Sequence, residues 1–116
     1  MYDYRAHVTR VIDGDTIICD VDLGFNVSVK QTFRFYDIDT PEIRTRNLDE
    51  KRHGYDAKQF VESKITDKDI IIKTEKDDRG SFGRYLAKIF YYDDLGTKQD
   101  LIEQLKEFGF EKKENY

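Results

Sequence analysis

Two short acidic runs carry the residue types that bind a hard cation. Asp13-Gly14-Asp15 and Asp37-Ile38-Asp39 each set two carboxylates two positions apart, and Thr40, Pro41 and Glu42 follow the second run. Carboxylates gathered at one point repel and raise one another's pKa values, and a divalent cation relieves that cost. Oxygen-only donors favour Ca²⁺, Mg²⁺ or Mn²⁺ over zinc or copper. The first run lacks the glycine and closing glutamate offsets of an EF-hand loop. Taken singly, both runs are also good turn formers, so a site requires that the fold bring them together. Arg34 stands five residues before Asp39, and Arg84 follows Gly83 in a polar stretch that contains Arg79. Guanidiniums beside such a cluster suit a phosphoryl-transfer centre, where negative charge builds on the equatorial oxygens. A surface ion pair is the alternative for either arginine alone. Glu42 is a candidate general base beside the metal.

The elements that would position these residues follow from hydrophobic period. Tyr4–Ile12 reads as a first strand and Thr16–Leu23 as a second, with Ile17, Cys19 and Val21 on one face. Val27–Tyr36 reads as a third, with Val27, Val29, Phe33 and Phe35 sharing a face and Arg34 opposite. Strand three paired with strand two would put its end, and Asp39, near the Asp13–Asp15 turn. From Ile43 to Gly54 the chain is polar without a consistent period and reads as a surface loop. Tyr55–Ile65 has helical spacing through Ala57, Phe60, Val61 and Ile65. Ile70–Thr74 reads as a fourth strand, Lys76–Gly83 as a polar loop and Arg84–Tyr92 as a fifth strand. Thr97 with Asp100 looks like a capping pair for a helix carrying Leu101, Ile102, Leu105 and Phe108, ended by Gly109. The order β-β-β-α-β-β-α is that of an OB-fold, a mainly β (α+β) architecture built on a five-stranded Greek-key barrel with two helices.

Composition bounds the function. The chain has 116 residues, which suits one domain spanning 1–116. Its 20 Lys+Arg against 24 Asp+Glu leave a net charge of −4, which excludes coating nucleic acid with bulk positive charge but leaves room for a local phosphate site. One cysteine allows no internal disulfide, and Cys19 on the inward face reads as an inert core residue. His7 and His53 show no catalytic partner pattern. No apolar run is long enough to span a membrane, so no membrane role is expected. The first residues lack the basic start and apolar stretch of a signal peptide. A cytoplasmic chain, or one whose targeting segment is missing, is the resulting expectation.

Val11-Ile12-Asp13-Gly14-Asp15-Thr16, then Phe33-Arg34-Phe35-Tyr36-Asp37-Ile38-Asp39-Thr40-Pro41-Glu42, then Gly83-Arg84-Tyr85-Leu86-Ala87 resemble the staphylococcal nuclease (thermonuclease-like) family. Gly54 with Ala57-Lys58-Gln59-Phe60-Val61 resembles that family's first helix. The resemblance runs from about Tyr4 to Gly109 and implies an OB-type barrel with helices. It implies Ca²⁺ held by the Asp15 and Asp39 side chains and the Thr40 carbonyl, with Asp13 supporting the shell through water. It further implies Glu42 as general base, and Arg34 and Arg84 as the phosphate clamp, Arg84 also favouring departure of the 5′ oxygen. Family members cleave the 5′ P–O bond of DNA and RNA and leave 3′-phosphate ends. The chain departs from the family pattern at Ser81 and Phe82, where Lys and Tyr are common, and at Ile102, where Asn is usual.

The resulting expectation is a monomeric Ca²⁺-dependent nuclease acting on DNA or RNA, with single strands favoured. The alternative is a non-catalytic OB-type module that binds nucleic acid or a protein.

Overall fold

The computed structural model describes residues 2–76 and 84–116, without the side chains of residues 76 and 84. The polar loop expected over Lys76–Gly83, with Arg79, Ser81 and Phe82, lies outside the described residues apart from the backbone of Lys76.

β1 (Tyr2–Asp13), β2 (Thr16–Asp22) and β3 (Ser28–Phe35) form an antiparallel meander. Ile17, Cys19 and Val21 are buried on the inner face, and Ile17 lies opposite Phe33 in register. α1 (Leu48–Ile65), β4 (Asp69–Lys76), β5 (Arg84–Tyr92), β6 (Lys98–Asp100) and α2 (Leu101–Glu107) follow. The sheet order is β3-β2-β1-β4-β5-β6, and β5 returns to pair parallel with β3 from Thr32↔Arg84 to Phe35↔Ala87. That last pairing closes a five-stranded barrel, the OB-fold expected from the order of elements. Val27 and Val29 remain 53% and 44% exposed although they share the phenylalanine face, because β5 meets β3 only from Thr32 onward. No helix of the described residues is long and apolar enough to cross a membrane.

Three local features differ from the sequence reading. Residues 48–54 belong to α1 rather than to a surface loop. They carry no apolar stripe, but the Asn47 side-chain oxygen accepts the N–H groups of Asp49 and Glu50 at 3.0 and 3.1 Å. Asp49 and Glu50 also complement the positive end of the helix. β6 is a three-residue strand, too short to show a period, that pairs with Phe90–Tyr92 of β5. Thr97 does not cap α2. Asp100 does so alone, accepting the Glu103 N–H at 3.2 Å, while the Thr97 N–H goes to Asp93 in the preceding turn.

Gly109 ends the α2 segment as expected. Its φ of +79° is the left-handed conformation that glycine adopts freely, and the N–H groups of Gly109 and Phe110 return to Lys106 and Leu105. Phe35, Ile65, Ile72, Ile89, Leu101 and Leu105 fill the core. Cys19 is wholly buried there, and burial pushes its thiol up to about 12, in keeping with an inert core residue.

Candidate active site

The two acidic runs meet because Gly14 has no side chain. A Cβ at that position would lie 2.8 Å from both the Ala57 Cβ and the Thr40 Oγ1. The Asp13–Asp15 turn therefore rests directly on α1 and on the segment after β3. In this setting Asp15 is only 8% exposed. Its Oδ2 accepts the Thr40 N–H at 3.1 Å, its Oδ1 accepts the Thr16 hydroxyl at 3.1 Å, and its carbonyl accepts the Phe35 N–H at 2.7 Å. The first acidic run is thus fastened to the second. Asp13 Oδ1 accepts the Asp15 N–H at 3.0 Å. Burial, followed by the neighbouring Asp15 carboxylate, lifts the Asp13 carboxyl to about 6.

Arg34 lies opposite Thr16 in the β2–β3 register. Its guanidinium makes an ion pair with Asp39 and reaches Asp15 Oδ2 at 3.7 Å. One cation is thereby shared between carboxylates from both acidic runs. The group carries five N–H donors, enough to serve these oxygens and a phosphate together. It stands in the wall of a cleft of about 460 Å³ lined also by Tyr36, Asp39, Leu86 and Lys112. Glu42 is exposed, outside the wall of this cleft, and its carboxylate has no partner among the described residues. Arg84 opens β5, its backbone opposite Thr32 and two residues before Leu86, and its side chain lies outside the described part of the structure.

Carboxylates from the two acidic runs converge, but Asp37 is not among them. Asp37 takes a left-handed φ of 58°, and its Oδ2 accepts Lys106 Nζ of α2 at 3.0 Å, so it leaves the cluster. Asp15 and Asp39 meet at Arg34, with Asp13 hydrogen-bonded to the backbone of Asp15. Among the described residues no three His, Cys, Asp or Glu side chains form a metal-holding group. The residues implied by the resemblance are the Asp15 and Asp39 carboxylates, which meet at Arg34, and the buried Thr40, whose N–H is held by Asp15. They fit a hard cation that takes its remaining oxygens from water and substrate, and the position of Arg34 marks the pair of carboxylates as a seat for positive charge.

Two residues that the sequence reading did not single out, Glu50 and Lys112, hold the 39–42 backbone, and Gly54 of the resembling helix segment packs against it. The Glu50 carboxylate accepts the Glu42 N–H at 3.0 Å and approaches the Thr45 hydroxyl at 3.5 Å and Lys112 Nζ at 3.5 Å. The Glu42 N–H is the main influence that lowers its pKa, ahead of Lys112. The Lys112 N–H donates to the Asp39 carbonyl at 2.7 Å. Gly54 of α1 faces the Pro41 and Glu42 carbonyls so closely that a Cβ would sit 2.8 and 2.9 Å from them. Glu50 stands three residues after Asn47, the spacing of a capping box, but its carboxylate turns to Glu42. Nothing in the local sequence points to Lys112. Neither histidine belongs to the site: His7 pairs with Asp69 and Asp67, and His53 bonds the Gly109 carbonyl and the Tyr116 hydroxyl.

A closed OB-type barrel with an arginine shared by a buried carboxylate, Asp15, and an exposed one, Asp39, defines the kind of domain. The sequence profile of the staphylococcal nuclease homologues matches residues 32–113. A thermonuclease of Staphylococcus hyicus is 34% identical over 83 residues, covering 72% of this chain and 46% of its own length. The thermonuclease of Staphylococcus intermedius is 31% identical over 88 residues, covering 76% and 49%. An uncharacterized protein of Methanocaldococcus jannaschii is 30% identical over 128 aligned positions, covering 92% and 58%. The chain spans about half the length of these relatives. It belongs to the staphylococcal nuclease family.

Proposed function

We propose that the chain is a nuclease that hydrolyses phosphodiester bonds of DNA or RNA with Ca²⁺, prefers single strands and leaves 3′-phosphate ends. The observation that carries this reading is the Arg34 guanidinium shared between Asp15 and Asp39 in the wall of a cleft. Asp15, Asp39 and the Thr40 carbonyl would hold the Ca²⁺, which would supply positive charge to a non-bridging phosphate oxygen. Arg34 binds the phosphate through its remaining N–H donors and takes up the charge that grows on the equatorial oxygens. Glu42, exposed and unpartnered among the described residues, accepts a proton from the attacking water. The water oxygen then bonds to phosphorus as the P–O5′ bond breaks. Arg84, by family resemblance, stabilises the departing 5′ oxygen, which takes its proton from solvent.

Incubating the protein with single-stranded DNA, in Ca²⁺ or in EGTA, tests this reading against Glu42→Ala. Binding without cleavage, indifferent to Ca²⁺, would favour the OB-type binding module instead.

A further inference from the structure

The outer face of the barrel beside the cleft carries an arrangement that folding alone does not favour. Lys73 of β4 and Lys88 of β5 lie directly opposite each other in antiparallel register. Like charges in that position destabilise a strand pair. Among the described residues neither makes an ion pair. Instead Lys88 Nζ lies 5.3 Å from the Tyr36 ring centroid and Lys73 Nζ 5.5 Å from that of Phe90. Lys98 of β6 joins them, its Nζ 4.7 Å from the same Phe90 ring. These rings hold the ammonium groups in place and so lower the entropy cost of using them.

Asp3 of β1 stands opposite Lys73 across the β1–β4 pair without making an ion pair among the described residues, and the acids on the β5 side are engaged. Lys106 serves Asp37 and Glu103, and Asp100 caps α2. Among the described residues, none of the three lysines on this face makes an ion pair, and Asp3 is the one acid set directly across from any of them. Two of the lysines adjoin the cleft directly: Tyr36 and Asp37 line both it and a neighbouring groove of about 240 Å³ that Lys73, Lys88 and Phe90 also wall. Leu86 lies opposite Arg34, and Lys88 follows two residues along β5 on the same face, a step of about 7 Å.

We propose that Lys73, Lys88 and Lys98 form a phosphate track for a single-stranded nucleic acid whose scissile phosphate sits at Arg34. The track takes the phosphates flanking the scissile one. Successive phosphates of an extended strand are spaced much like successive same-face residues of β5, and their charge relieves the Lys73–Lys88 repulsion. The cleavage role assigned to this strand rests on the nuclease reading; the binding does not.

The test is fluorescence anisotropy with labelled dT12 in EGTA, where no turnover occurs, on the native protein and on Lys73→Gln/Lys88→Gln. The double variant is expected to bind about tenfold or more weakly at low salt, with a salt slope shallower by roughly 0.7 for each phosphate left without its lysine. Lys73→Arg/Lys88→Arg keeps the charge and is expected to bind like the native protein, which separates charge from folding. In Ca²⁺, kcat/KM for dT12 should fall in the glutamine variant while that for a dinucleotide, too short to reach the track, stays unchanged. Unaltered affinity and slope, or equal losses on both substrates, would overturn the track. Lysine-dependent binding by a native protein that cleaves nothing would sustain the track and sink the nuclease reading instead.

Discussion

The Glu50 carboxylate accepts the backbone N–H of Glu42 at 3.0 Å, so α1 holds the residue that carries the candidate base. Glu50 does not reach the substrate; it positions. Removing its carboxylate in Glu50→Ala leaves the Glu42 N–H and Lys112 without this partner. Small displacements of catalytic groups are costly, so kcat should fall about ten- to a hundredfold with a much smaller change in KM. Glu50→Gln keeps an oxygen for the Glu42 N–H and should recover most of the rate. Steady-state kinetics of both variants decide the matter, and equal kcat in all three proteins would remove Glu50 from the account.

Gly54 gives a prediction whose sign is opposite to the usual one. Replacing a helical glycine by alanine ordinarily stabilises by about 1 kcal/mol. Here the new Cβ would press on the Pro41 and Glu42 carbonyl oxygens at 2.8 and 2.9 Å, and both belong to backbone. Overpacking of this kind costs about 1–3 kcal/mol. Gly54→Ala should therefore lower the urea midpoint at unchanged m-value.

Arg34 should tolerate no replacement. Arg34→Ala is expected to lower the cleavage rate by about 10²-fold or more if the guanidinium contacts the transition state. Arg34→Lys retains charge but loses the planar fork that serves Asp15, Asp39 and phosphate together, so it should recover little of the rate. A lysine variant with native kcat would show that charge alone suffices.

His7 ties the start of β4 to β1 in a pH-dependent way. Its ring nitrogens lie 2.7 Å from Asp69 and 2.8 Å from Asp67, and Asp20 stands opposite it across the β1–β2 pair. Hydrogen bonds to Asp69 and then Asp67 raise its pKa above the ordinary 6.5. A raised folded-state pKa gives stability that is complete below the unfolded value and is lost as pH rises through the folded one. The difference in urea midpoint between native protein and His7→Gln should be largest near pH 6 and shrink above about pH 6.5. A gap that widens with rising pH would contradict the pairing.

The barrel was legible because Ile17, Cys19, Val21, Phe33 and Phe35 alternate as a half-buried strand must, and the order of elements selects the OB topology. Residues 48–54 were not, because their helicity comes from the Asn47 cap and from anchorage to the 39–42 backbone rather than from an apolar stripe. Asp15, Arg34 and Asp39 declared themselves by type and spacing. The departure of Asp37 to Lys106 did not, since it depends on one left-handed residue and a partner 69 positions away. The Lys112 hydrogen bond to Asp39 is backbone to backbone, and such bonds leave no mark in side-chain pattern.

The central claim is hydrolysis at the Arg34 cleft with Ca²⁺, and the most direct measurement is the product of a labelled single-stranded oligonucleotide. Native protein in Ca²⁺ should yield shorter strands whose new ends lose a 3′-phosphate on phosphatase treatment, with no products in EGTA and almost none from Glu42→Ala. Intact oligonucleotide in Ca²⁺, or cleavage unaffected by EGTA and by loss of Glu42, would contradict the account.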